Sequence, residues 1–275
     1  MNIIKEKIMH KKIEIDILFF ILIEAMFLLF FFKESILTMI LGIILGEILI
    51  YFSKKIKKNN ITQFILFIIT IPLSLITIHK TIYFINYNIL KNYPIYVIII
   101  PFLIISLYLV VKNYHTFIKS VEISFYLFII IKIISFILII PKLNFNNIVI
   151  SHNIQITYRF ILIGFSILYL DTAINYLTNY EINKKRSIIS FINPLLIKIL
   201  VIMSLGNTLS LIYKYPYVDY LKTIKYFDFI ERIDGILSFE YLISFYYTFI
   251  FFLFIVKKPL KRFNQLQWNS KKLKN

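Results

Sequence analysis

The stretch KYPYVDYLKTIKYFDFIERID, Lys214–Asp234, separates the last two long apolar runs of a 275-residue chain. It opens on Tyr215-Pro216 and closes on Glu231-Arg232-Ile233-Asp234. Between them Tyr217, Tyr220, Ile224 and Phe227 recur at spacings of three to four. That spacing predicts an amphipathic helix, either lying in a membrane interface or packed as a lid on a helix bundle. No other part of the chain has this mixture of aromatic and charged residues.

On both sides of it the chain is apolar. Hydrophobic residues make up 59% of the sequence, against roughly 45–50% in soluble domains, and the mean hydropathy is +0.80. The apolar residues are gathered into eight runs, at 15–32, 36–53, 64–86, 94–111, 121–141, 156–178, 188–213 and 235–256. Each is close to or above the roughly 17–25 residues that span a bilayer as a helix. The expectation is an all-α polytopic membrane protein of about eight transmembrane helices. It forms a single domain over 1–275, with tails at about 1–13 and 257–275. The basic segment Met1–Lys12 precedes an 18-residue run without a small-residue cleavage site, which reads as a retained signal anchor.

The formal charge of +17 is a statement about topology rather than about nucleic acid. With a cytoplasmic N-terminus, twenty of the 31 Lys and Arg residues fall on cytoplasmic segments, eight on external ones and three within spans. This is the bias of the positive-inside rule. It places both termini in the cytoplasm and the basic clusters beside membrane lipid, with no nucleic-acid partner. Cysteine is absent, and His10, His79, His115 and His152 are scattered without metal-ligand spacing. No metal, cofactor or catalytic constellation is therefore predicted, and the chain does not read as an enzyme.

Ionisable groups inside apolar runs carry more information. Glu24, Glu47, Lys132, Arg159, Asp171, Lys198 and Glu240 all occur there. An ionised side chain at the bilayer centre costs at least about 2.5–3.5 kcal/mol, so such groups face the bundle interior, pair with one another or line a wet path. Glu24, Lys132, Asp171 and Lys198 lie near mid-span, where acid–base pairing among them is feasible. They form either a polar pathway for a small zwitterion or ion, or structural pairs that fix helix packing. Pro72, Pro101 and Pro194 also lie within spans, where they either break a helix at a binding site or leave a locally satisfied kink.

Two stretches carry a family resemblance. In Tyr93–Asn147, Pro94 precedes a span, and Lys112, Lys119 and Glu122 mark the following loop. Pro141, Asn144 and Asn147 close the next span. Together with Tyr215, Pro216, Phe229, Glu231, Arg232, Ile233 and Asp234, this pattern resembles the spore-germination permeases, the B subunits of nutrient germinant receptors. Asn113 stands where that family has a loop glycine, and is expected to take the left-handed turn in its place.

The resemblance covers roughly 90–256. It implies the LeuT-like inverted-repeat fold of the amino acid–polyamine–organocation permeases, lacking the last two helices. It also implies a mid-membrane ligand site between broken first and sixth helices. Asp171, in Tyr169-Leu170-Asp171, and Glu24 are the substrate-binding candidates it implies, with Lys132 and Lys198 as pathway or ion-pair groups. The first span, FFILIEAMFLLFFF, lacks the glycines of the family's helix break. The implied role is a subunit that senses, or also transports, an amino acid or similar nutrient in the cell or spore inner membrane. A lipoprotein and a soluble-domain subunit are the implied partners. A stand-alone amino acid transporter and a structural subunit that binds no ligand are the alternatives.

Overall fold

A computed structural model describes residues 2–53, 60–90, 93–147, 158–180, 184–213, 215–216, 218–219 and 238–272. The described residues are helical, without a strand. The helices are α1 (Asn2–Met26), α2 (Ile36–Ser53), α3 (Asn60–Asn88), α4 (Ile95–Val111), α5 (Tyr114–Ile139), α6 (Arg159–Thr178), α7 (Lys184–Leu205), α8 (Asn207–Ile212) and α9 (Phe239–Lys272). Six stretches, in α2, α3, α5, α6, α7 and α9, are long and apolar enough to cross a membrane, and α4 is a shorter apolar helix. The chain is an all-α integral membrane protein.

Its centre is α1. Leu18, Phe19, Ile21, Leu22, Ile23 and Ala25 are fully buried, so the helix is covered on every side. A helix that is apolar all round belongs inside a bundle, and α1 packs on α5, α6, α7 and α9. The outer helices instead expose Ile, Leu, Phe and Tyr, as at Ile44, Ile104, Ile130 and Phe165, which suits a lipid surround.

Contacts between the helix ends sort them into two groups. At one end the Tyr114 ring of α5 lies 5.5 Å from Phe254 of α9. Lys257 donates there to the carbonyl of Val110, and Lys258 to that of Tyr176. These lysines satisfy carbonyls that the ends of α4 and α6 leave without intrahelical partners, and their charge suits the negative end of a helix dipole. At the other end Arg159 pairs with Glu34, and Phe84 of α3 packs on Tyr215 and Tyr241. The first end carries the basic C-terminal tail.

The α2–α6 pair is the most extensive contact between helices, and glycine makes it. Of the five glycines in the chain, Gly42, Gly46 and Gly164 lie in this one seam. A Cβ on Gly42 would meet Ile163 Cβ at 2.5 Å, and one on Gly46 would meet Ile167 at 2.9 Å. Gly42-Ile43-Ile44-Leu45-Gly46 is a small-xxx-small spacing, which lets helix backbones approach closely in lipid.

Three local expectations are corrected. Asn113 is not left-handed: with φ −82° and ψ 153° it is the extended N-cap of α5. Helix therefore resumes at Tyr114, with no Gly or Pro to delay it, and Lys119 and Glu122 lie on α5 rather than in a loop. The seventh apolar run is not one helix, because Gly206 at φ +79° ends α7 and starts α8. Glycine reaches that conformation without the Cβ penalty.

The in-span prolines do not break their helices: α3, α4 and α7 run continuously through Pro72, Pro101 and Pro194. Pro94 is the extended N-cap of α4. Asn144 and Asn147 tie the segment after α5 to the carbonyl of Met203, near the end of α7. Glu231, Arg232 and Asp234 lie outside the described residues, as do Tyr217, Tyr220, Ile224 and Phe227.

Candidate functional site

Four side chains from four helices meet beside the C-terminal end of α1. Glu24 is presented by α1, Lys132 by α5, Asn193 by α7 and Glu240 by the first turn of α9. Lys132 Nζ lies 2.5 Å from Glu24 Oε2 and 3.2 Å from Glu240 Oε1. It also donates to Asn193 Oδ1 at 3.0 Å, while Asn193 Nδ2 donates to Glu24 Oε2. Both glutamates are fully buried and Lys132 is 4% exposed. The ammonium stands 4.3 Å from the centre of the Phe128 ring, whose negative face favours a cation.

The charge count decides what this arrangement can do. Two carboxylates face one ammonium, so acceptors outnumber donors. Glu24 Oε1 and Glu240 Oε2 are buried and accept no hydrogen bond from the described residues. A buried charged oxygen is costly unless it is paired and hydrogen-bonded. These two oxygens leave the cluster able to accept a further hydrogen bond.

The backbone beside the cluster is also unusual. After Met26 the α-helix widens into a π-helical turn at Phe27–Phe31. Such turns are rare and occur often at functional sites. Two lysines hold the carbonyls of this end of α1: Lys80 donates to that of Leu29, and Lys198 to that of Phe32 at 2.8 Å. Lys198 is 1% exposed, with its charge spent on a helix terminus.

The candidates from the sequence therefore divide. Glu24 and Lys132 are brought together, and Asn193 and Glu240 complete the group. Lys198 belongs to the end of α1. Asp171 is buried on α6, two residues after Tyr169, whose hydroxyl bonds Thr70 at 2.6 Å. It is not one of the partners of Lys132 described above. Tyr215 and Pro216 border a cavity at the α1 end. The Tyr215 N–H donates to Asp219 Oδ2 at 3.1 Å, and burial raises its phenol above the ordinary range, so the ring stays neutral.

Glu240 was visible as an acid inside an apolar run, but its pairing was not. Asn193 had one signal, a lone amide directly before an in-helix proline. The four-residue Gly42–Gly46 spacing is a further signal in the sequence, unused above, and Gly164 has no such local mark.

Fold and site together define a class: a helical integral membrane protein with a buried, carboxylate-rich polar cluster at the centre of its bundle. No family model, curated protein or solved structure matches the chain.

Proposed function

We propose that the chain is a permease-like subunit of a spore-germination receptor, and that it senses an amino acid or similar small nutrient within the membrane. The Glu24–Lys132–Asn193–Glu240 cluster carries this reading, because its surplus carboxylate offers a partner to the ligand's ammonium. The π turn of α1 supports it by widening the helix where the resembled family has its break. In this reading α1 and α4 cross the bilayer with the other six helices, in the inverted-repeat arrangement of that family. The basic tail and the end that holds Lys257 and Lys258 face the cytoplasm.

Lys132 and Asn193 fix Glu24, and Glu240 at the start of α9 accepts the ligand. Transfer of the ligand's charge into the cluster then links α1, α5, α7 and α9, whose packing a partner lipoprotein and soluble-domain subunit read. Asp171 contributes a second polar contact in this reading, from the neighbouring helix α6.

The reading is tested in spores that depend on this subunit. Glu240→Gln is expected to abolish or strongly weaken the nutrient response while the protein still accumulates in the inner membrane. A response that persists unchanged in Glu240→Gln removes the cluster from sensing. Accumulation of labelled amino acid by proteoliposomes containing this chain alone favours the stand-alone transporter instead.

A further inference from the structure

A second site lies at the far end of α1 from the basic tail. A cavity of about 430 Å3 opens between the end of α1, the last third of α3, the start of α6 and the first turns of α9. Lys33, His79, Lys80 and Arg159 border it, and Tyr83 and Tyr215 stand among them. Basic groups thus converge from α3, from α6 and from the residues after the π turn. Among the described residues, Glu34 pairs with Arg159.

Among the described residues the basic groups are only partly committed. Lys80 donates to the Leu29 carbonyl and stands 4.5 Å above the Phe30 ring. An ammonium has three donors, so this bond does not exhaust it. The Arg159 side chain is 50% exposed, and its guanidinium carries five donors. Lys33 and His79 are exposed.

The surface flanking the cavity is apolar and open. Leu75, Ile76 and Tyr83 are exposed on α3, Leu162 and Phe165 on α6, and Tyr158 just before it. A free solute needs no such flank, whereas an acyl chain lying along α3 and α6 would cover it. Clustered lysine and arginine donors suit a phosphate, and aromatic residues are enriched at membrane interfaces.

We propose that this cavity binds the phosphate head group of an anionic phospholipid, with Lys33, Lys80 and Arg159 holding the phosphate and the acyl chains resting on α3 and α6. The site is separate from the Glu24 cluster and does not depend on what that cluster binds.

The full chain in detergent is titrated with phosphatidylglycerol, with phosphatidylcholine and with soluble glycerol 3-phosphate, and bound molecules are counted by native mass spectrometry. Phosphatidylglycerol is expected to be retained in preference to phosphatidylcholine. Lys33→Gln is expected to weaken that retention by roughly fivefold, the effect of one cation near an anionic head group. Arg159→Gln would also break the Glu34 pair, so the exposed Lys33 carries the test and thermal unfolding checks that its variant is folded. Equal retention of both lipids would overturn the proposal, as would unchanged selectivity in folded Lys33→Gln. Binding of glycerol 3-phosphate as tight as that of the lipid would reassign the cavity to a soluble phosphate ester and overturn the lipid assignment.

Discussion

Lys132→Met is expected to destabilise the folded protein by about 3–5 kcal/mol, the cost of leaving a buried charge without its partner. The reason is the inventory around Nζ. The ammonium is the cation shared by Glu24 and Glu240, and it also accounts for a bond to Asn193. Its loss leaves two fully buried carboxylates facing each other. Glu240→Gln acts in the opposite sense on the count, since it leaves one carboxylate for one ammonium. It is expected to cost less than about 1.5 kcal/mol, in the range of one ordinary hydrogen bond. Lys132→Met combined with Glu24→Gln and Glu240→Gln is expected to recover most of the stability. Chemical unfolding in mixed micelles measures all of these. Equal losses in Lys132→Met and Glu240→Gln would show that size and packing, rather than charge balance, set the stability there.

The second large effect is expected at the α2–α6 seam. Gly42→Leu is expected to destabilise by about 1–3 kcal/mol, the usual cost of overpacking, and to loosen α2 from the bundle. The atoms nearest to a new Cβ are Ile163 Cβ at 2.5 Å and Cγ2 at 2.6 Å, with the carbonyl oxygen of Phe160 at 3.1 Å. Ile163 Cβ is fixed to its backbone and no rotamer moves it away, so the backbones themselves must part. Gly164→Ala is expected to be milder, because its nearest neighbours are Cδ2 and Cγ of Leu45 at 2.9 and 3.0 Å. Those atoms can move with a rotamer. Moving the small residue across the seam, as in Gly42→Ala with Ile163→Gly, is expected to restore part of the loss. Unfolding measurements and a disulfide-trapping distance between α2 and α6 report the two consequences. A Gly42→Leu protein with unchanged stability would mean that α2 does not pack on α6 in the membrane.

Much of the fold was legible in the sequence because lipid imposes a simple rule. A span needs a minimum apolar length, and α2 begins and ends where hydropathy places it, at Ile36 and Ser53. Boundaries governed by backbone conformation were less legible. Asn113 had the chemistry for a left-handed turn, but the capping position it occupies calls for extended backbone. Gly206 sits inside an unbroken apolar run, so hydropathy alone carries the seventh span past it.

The site was half legible, for a different reason. Glu24 and Lys132 stand out because ionisable residues inside apolar runs are rare and costly. Which acid meets which base depends on helix rotation and depth, and no local pattern sets these. Lys198 looked equivalent to Lys132 in the sequence, yet it caps the end of α1. The π turn at Phe27–Phe31 has no compositional mark at all, since its residues are those of any apolar helix.

In the proposed function, the carboxylate surplus beside α1 receives the ammonium of a small nutrient. Thermal unfolding of the full chain in lipid nanodiscs, with a panel of amino acids and their matched deaminated acids, tests it most directly. Binding to the native state raises the unfolding midpoint. The expected result is a rise with at least one amino acid, no rise with its deaminated counterpart, and loss of the rise in Glu240→Gln. A midpoint unmoved by every amino acid, or a rise that survives in Glu240→Gln, would contradict it.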